Sequence, residues 1–204
     1  MRLRDGEAVG LCDGAGSWRL GRLERAGPAR RARLEPDGEI QVEPAPEPAL
    51  TLAVALPKGD RGDWAVQKLT ELGVDAVVVL DAARSVLRWD GERSARGRAR
   101  LERIVRQAAM QARLTRLPTV AGPLTVAEVV GTHGSAAAVA EPGGGAAPDI
   151  AHPVVLIGPE GGWDEGEVPQ HIHRVGLGPT VLRTETAAVL AAGVLTLRRA
   201  GLLG

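Results

Sequence analysis

Phenylalanine and tyrosine are absent from this 204-residue chain, and four tryptophans are its whole aromatic stock. That excludes a sheet surface carrying rows of aromatic platforms for stacking single-stranded bases. Cysteine occurs once, at Cys12, so neither an intrachain disulfide nor a multi-cysteine zinc site can form. The four histidines, His133, His152, His171 and His173, are scattered without metal-ligand spacing, and no metal is expected. Lysine is confined to Lys58 and Lys68. No apolar run reaches the ~20 residues of a membrane span, and the charged start Met1-Arg2-Leu3-Arg4-Asp5 is unlike a secretory signal. The expectation is a cytoplasmic globular protein with one large domain or a medium domain plus a small one.

Net charge is zero, but the charges are sorted along the chain. Between Arg84 and Arg116 ten arginines face only Asp90, Glu92 and Glu102. From Leu117 to His173 there is no Lys or Arg, while seven acids occur, Glu128, Glu141, Asp149, Glu160, Asp164, Glu165 and Glu167. A second basic cluster, Arg19, Arg22, Arg25, Arg30, Arg31 and Arg33, is opposed by Glu24 alone. Such sorting suits a basic face for phosphates; a solvated helix face rich in arginine is the plainer alternative.

The chain is organised around residues 154–186. An apolar run, Val154-Val155-Leu156-Ile157, enters Gly158-Pro159-Glu160-Gly161-Gly162, where missing Cβ atoms let a ligand lie on the backbone. Asp164 and Glu167 follow with the spacing of a capping box, which predicts a helix start. Leu177-Gly178-Pro179 fixes a second turn. Thr184, in Leu182-Arg183-Thr184-Glu185-Thr186, is placed to N-cap an apolar helix. Three such turns so close together point to one backbone-lined pocket, against the alternative of tight strand–loop–helix packing with no ligand.

Short β segments are expected at residues 8–12, 18–23, 29–34 and 40–42, punctuated by Gly27-Pro28 and Pro36-Asp37-Gly38. Glu43-Pro44-Ala45-Pro46-Glu47-Pro48 reads as a stiff linker. Beyond it, strands at 50–56 and 76–80 flank a helix over 63–72 that stops at Gly73, which predicts a parallel pair. A long helix over 92–113 carries Leu101, Ile104, Val105, Ala108 and Ala112 on one face and Arg93, Arg96, Arg100 and Arg103 on another. A strand ending at Val120, a short helix over 125–130, and strands at 136–140, 154–157 and 175–177 complete an α/β pattern. Loop 143–148 reads as flexible and without chemistry.

Taken together, Ile157-Gly158-Pro159-Glu160-Gly161-Gly162, Leu177-Gly178-Pro179 and Leu182-Arg183-Thr184-Glu185-Thr186-Ala187 resemble the SPOUT class of RNA methyltransferases. Within that class the chain resembles the RsmE family, which methylates N3 of a uridine in small-subunit (16S) ribosomal RNA. Pro57-Lys58-Gly59-Asp60-Arg61, Gln67-Lys68-Leu69-Thr70-Glu71-Leu72-Gly73-Val74, Arg84-Ser85, Ala108-Ala109-Met110-Gln111 and Arg116-Leu117-Pro118 match it too, so the likeness spans roughly residues 50–200. Leu114 departs from the arginine many relatives carry there. The resemblance implies a homodimer and a SPOUT-type trefoil-knotted domain over 50–204. It also implies a linker at 44–49 and a small PUA-like β-barrel for RNA over 1–43. Relatives have a further strand region before the segment like Leu3-Arg4-Asp5-Gly6-Glu7, so the expectation is either a truncated barrel or a misassigned start.

It further implies S-adenosylmethionine as cofactor, held by Glu141, Pro142, Gly158, Pro159, Glu160, Gly161, Gly162, Leu177, Gly178, Pro179, Leu182, Arg183 and Thr184. Lys58, Arg61, Arg84, Arg96, Arg100, Arg103, Arg113 and Arg116 are the candidate RNA contacts. A uridine N3 is a weakly acidic imide that must lose its proton before it attacks. A positioned base or a cation that stabilises the anion serves that purpose, and Arg183, Glu185 and Glu160 are the candidates. Mutual pairing of Arg183 with Glu185 is the plain alternative. Two other functions compete: a SPOUT enzyme of other specificity, such as ribose 2′-O methylation, and a non-catalytic RNA-binding or assembly protein. A dinucleotide-binding dehydrogenase is remote, since no Gly-x-Gly-x-x-Gly opens a helix after the first strand.

Overall fold

The structure is a computed structural model that describes residues 4–26, 31–89 and 91–204. It divides into two compact units. The smaller comprises Met1–Ala45 with Arg113–Leu117, and the larger comprises Pro46–Ala112 with Pro118–Gly204.

In the smaller unit β1 (Ala8–Cys12), β2 (Ser17–Ala26) and β3 (Arg31–Val42) form an antiparallel sheet in that order. Two strands were expected where β3 runs unbroken. The Pro36-Asp37-Gly38 signal becomes a bulge, because Trp18 pairs with Gln41 while Leu20 pairs with Asp37. Gly38 to Ile40 of β3 thus oppose Arg19 alone, and an insertion of this kind bends a strand without ending it. The Gly27-Pro28 turn, Arg30 and the first residues of the expected 29–34 strand lie outside the described residues. Arg116 donates from Nη2 to the Glu43 carbonyl at 2.6 Å, and Thr115 Oγ1 donates to Glu43 Oε2 at 2.6 Å.

The larger unit is a six-stranded parallel sheet ordered β6-β5-β4-β8-β7-β9. Its strands are β4 (Thr51–Val54), β5 (Ala76–Leu80), β6 (Thr119–Leu124), β7 (Ala137–Ala140), β8 (Val154–Ile157) and β9 (His173–Val175). Both faces of the central strands are covered, so β4 and β8 are buried at every residue and read as unbroken apolar runs. Alternation still sorts the side chains. Leu52, Val54, Val155 and Ile157 face the helices α1 (Asp60–Glu71), α2 (Gly91–Ala112) and α4 (Thr184–Arg199). Ala53, Val78, Leu80 and Leu156 face α3 (Val126–His133), Val168 and Ile172.

α1 starts three residues earlier than expected, and its C-cap is Leu72, with Gly73 at φ +83° beyond it. The expected helix over 125–130 is α3. Thr125 and Glu128 close a full capping box there: the Glu128 N–H donates to Thr125 Oγ1, and Glu128 Oε2 accepts from the Thr125 N–H. β6 runs from Thr119 to Leu124, so Val120 is its second residue instead of its last. β9 sits two residues upstream of the expected 175–177 segment.

Two local expectations are corrected. No helix starts at Asp164. Asp164 and Glu167 do bond like a capping box, the Asp164 N–H donating to Glu167 Oε2 at 2.9 Å. Pro169, however, has no N–H to extend a first turn, and Glu167 Oε1 accepts from the Ala83 N–H at 2.6 Å. The pair latches the loop after β8 to the loop after β5. Loop 143–148, expected to be flexible, is pinned. The Gly176 N–H donates to the Ala146 carbonyl at 3.0 Å, and the backbones of Gly144 and Gly176 come so close that a Cβ on Gly176 would lie 2.5 Å from the Gly144 oxygen.

Candidate active site

The carboxyl ends of β7 and β8 and the N-terminus of α4 meet at a cavity of about 150 Å³. Ligands collect at strand ends in parallel α/β sheets. β7 leads into Glu141-Pro142 and β8 into Gly158-Pro159-Glu160, while the segment after β9 supplies Leu177, Gly178 and Leu182. Glycine-rich loops thus leave main-chain groups and small apolar side chains as the walls.

Of the residues read as cofactor-binding, Glu141, Pro142, Gly158, Pro159, Glu160, Gly162, Leu177, Gly178, Leu182 and Thr184 line this cavity. Gly161, Pro179 and Arg183 do not. Arg84 explains the first of these, since its Nη1 donates to the Gly161 carbonyl at 2.8 Å and its Nε to Asp164 Oδ1 at 2.5 Å. Gly161 therefore faces a side chain that braces the turn. Trp163, Thr180, Val181 and Ala187 also line the cavity and were missed. Trp163 had a signal, because an indole straight after Gly-Gly can fold back on the turn. A Cβ on Gly158 would meet that ring at 2.8 Å.

Thr184 was expected to be the N-cap of the last helix. Arg183 occupies that position, with no side-chain cap bond. The Thr184 hydroxyl instead donates to the Gly158 carbonyl at 3.0 Å, tying the start of α4 to the end of β8. A helix start with no side chain over its first N–H groups keeps the positive end of its dipole available to a ligand.

Beside this cavity lies a second, smaller one of about 60 Å³, sharing Pro159, Glu160 and Thr184 and lined by Lys58, Arg61 and Val86. Arg61 Nη1 donates to Glu160 Oε1 at 2.7 Å and stands 3.7 Å from Glu185 Oε1. The hydrogen bond from Arg61 to Glu160, then the charges of both carboxylates, hold the guanidinium above its ordinary range. Glu185 is 7% exposed, and its Oε2 is buried with no hydrogen-bond partner, an unusual state for a carboxylate oxygen. Arg183 is exposed and forms no ion pair among the described residues. The alternative in which Arg183 pairs with Glu185 in this chain is therefore set aside; the Glu185 neighbour is Arg61.

The candidate RNA contacts separate. Lys58 and Arg61 stand at the smaller cavity, and Arg84 braces the glycine turn. Arg96 bonds Glu92 at 3.1 Å, Arg100 pairs with Asp63, and Arg103 is exposed without an ion pair among the described residues. Arg113 is exposed at φ +58°. Arg116 belongs to the smaller unit, bonded to Glu43.

A description of the RNA methyltransferase domain matches residues 44–196. The ribosomal RNA small subunit methyltransferase E of Mycobacterium bovis is 38% identical over 219 residues, covering 97% of this chain and 82% of its own. The chain belongs to this family. An RsmE structure from Neisseria gonorrhoeae bound to S-adenosylmethionine superposes with TM-score 0.79 at 30% identity, covering 94% of this chain and 83% of that one. A methyltransferase from Legionella pneumophila, in complex with the same cofactor, gives 0.80 at 25% identity with the same coverage. The larger unit of the present RsmE chain thus has the α/β parallel-sheet fold of these enzymes. Among its described residues no helix is long and apolar enough to cross a membrane, and no group of three metal-ligating side chains occurs.

Proposed function

We propose that this chain transfers a methyl group from S-adenosylmethionine to N3 of a uridine in the 16S RNA of the small ribosomal subunit, in the cytoplasm. The observation that carries the reading is adjacency: the backbone-lined cavity shares Pro159, Glu160 and Thr184 with a pocket holding two cations, and Glu185 stands behind one of them. The strand-end turns and the uncapped start of α4 suit a ligand with a flat apolar base and a carboxylate. Gly158, Gly162, Leu177, Gly178 and Leu182 would hold the adenosyl part. The cofactor supplies an electrophilic methyl on a sulfonium, already joined to a good leaving group.

The protein must prepare the acceptor. In the smaller pocket Arg61 and Lys58 stabilise the negative charge that spreads onto a uracil oxygen as N3 loses its proton. Glu185, with an unpartnered oxygen, accepts that proton. Glu160 holds Arg61 in place. Arg183, exposed beside Leu182, steadies the substrate phosphate or the anion.

In this reading residues 50–204 are the SPOUT domain with a trefoil knot, its last helix α4 packing against β4, β8 and α1. Residues 1–43 are a PUA-like barrel that grips RNA, and 44–49 are the linker. Arg96, Arg100, Arg103 and Arg113 meet phosphates, while Lys58 and Arg61 meet the reacting base. A homodimer covers Leu190 and Leu197 on the outer face of α4, which are 40% and 45% exposed.

Calorimetry with S-adenosylmethionine, followed by tritiated methyl transfer to unmethylated small subunits and mapping of the product nucleoside, tests this. One saturable site per subunit and N3-methyluridine are expected. A 2′-O-methylated product would move the chain to the other SPOUT specificity. Cofactor binding with no transfer to either subunits or naked RNA would leave an RNA-binding protein.

A further inference from the structure

Along α1 from the turn that carries Arg61, α1 and α2 line a cleft of about 300 Å³. Ile104 and Ala108 form its floor, and Trp64, Gln67, Gln107 and Gln111 rise around it. Trp64 is 44% exposed, the one tryptophan among the described residues that is. An exposed indole costs burial energy that the core would have gained, and the described residues leave nearly half of it open. Two acids stand at the mouth. Asp63 is paired with Arg100, whereas Asp60 makes no side-chain hydrogen bond or ion pair among the described residues. Arg100, through Asp63, reaches this opening, and Arg96 and Arg103 share its side of α2 by helical spacing.

These parts match the needs of one unpaired nucleotide. An aromatic face stacks any base. Carboxamides carry both donors and acceptors for a base edge, and an unpaired carboxylate only accepts. Cations alongside take the phosphate. Acceptance is the discriminating feature. Adenine, cytosine and guanine offer an exocyclic amine that Asp60 can accept from, while the uracil edge shows two carbonyl oxygens flanking one N–H and is repelled. Bare phosphate is disfavoured at Asp60 for the same reason.

We propose that the α1–α2 cleft holds one splayed RNA base bearing an exocyclic amine, stacked on Trp64 and read by Asp60 with the surrounding glutamines. The site is distinct from the uridine that is methylated, and it rests on the reading that α2 lies against RNA. It selects among RNA segments by a base outside the reacting one.

The test uses the full chain with fluorescein-labelled single-stranded heptamers of adenylate, cytidylate and uridylate, read by anisotropy at low salt. Adenylate and cytidylate should bind several-fold more tightly than uridylate. Trp64→Ala should weaken adenylate and cytidylate roughly tenfold, and Trp64→Phe should restore most of that. Asp60→Asn should narrow the gap between bases without lowering uridylate affinity. Unchanged thermal melting in each variant shows that the fold survives. Equal affinity for all three heptamers, or no effect of Trp64→Ala, overturns the proposal. If Arg103→Glu still weakens every heptamer in that case, α2 keeps its RNA role and only the base pocket fails. If Arg103→Glu is also silent, the reading of α2 falls with it. If Trp64→Ala changes only sedimentation, the face is a contact between copies of the chain and the proposal is lost.

Discussion

The cavity at the ends of β7 and β8 and the cleft between α1 and α2 lie in one unit but are made of different material. The first is walled by main chain at strand ends, by glycines, and by apolar side chains placed through the sheet register. The second is walled by the tips of long side chains on two helices. Main-chain groups cannot be exchanged by a point substitution, whereas an amide or carboxylate tip can. A site for a cofactor that never varies suits the first construction. A site for a polymer whose sequence differs from one substrate to another suits the second. Substitutions should therefore behave differently in the two places, with coupled loss of shape in one and separable losses of affinity in the other.

The strongest way to break this contrast is at Glu185. Glu185→Gln should lower methyl transfer by roughly 10²- to 10⁴-fold, the range for removing a general base, with S-adenosylmethionine affinity unchanged by calorimetry. Near-normal turnover would show that another group takes the proton. Next in size is Gly176→Ala. Its Cβ would press on the Gly144 oxygen at 2.5 Å, and overpacking of ~1–3 kcal/mol at the cavity rim should reduce cofactor affinity by tenfold or more; unaffected binding would mean that the rim yields. Changing Arg96, Arg100 and Arg103 together to Glu should weaken RNA binding and flatten its salt dependence by about 2 in slope, leaving cofactor affinity intact. An unaltered slope would reduce α2 to a solvated face.

The smallest effect serves as a control remote from both sites. Thr125→Ala should cost ~1 kcal/mol in denaturant unfolding and alter neither ligand. The Thr125 N–H and then its hydroxyl hold the Glu128 carboxyl below its usual range. Its contribution to stability is thus complete above the unfolded value of ~4.3 and declines as pH falls through the lower folded value. Wild type should lose this increment on acidification, and Thr125→Ala should show a smaller loss over the same window.

Much of the fold was legible because period and punctuation are local. β1, β5 and β8 fall on the expected residues, and Gly73 ends α1 as its position suggested. The misses come where a distant partner decides. Asp164 and Glu167 have the spacing of a helix start, yet Glu167 is drawn to Ala83, 84 residues away in sequence. Thr184 has the chemistry of an N-cap, yet its hydroxyl finds Gly158. The composition of 143–148 suggested mobility, but the close passage of Gly144 past Gly176 is set by tertiary packing that no local pattern encodes. At the site, the three turns could be read from their glycines. The position of Arg61 between Glu160 and Glu185 could not, because it joins the start of α1 to a loop and a helix about a hundred residues later.

The pairing of β4 with β8, Thr51 to Val154 through Val54 to Ile157, has a consequence for how the protein is made. A ribosome adds ~5–20 residues each second, so on the order of 5–20 s separates the emergence of these two strands. Until β8 arrives, β4 has no neighbour on that side, and an open apolar edge is exposed to any other nascent chain. All three turns of the cofactor cavity belong to the last third of the chain, so binding competence comes late in synthesis. A translation pause or a truncation before residue 154 would leave an adhesive half-sheet in place of a slow enzyme.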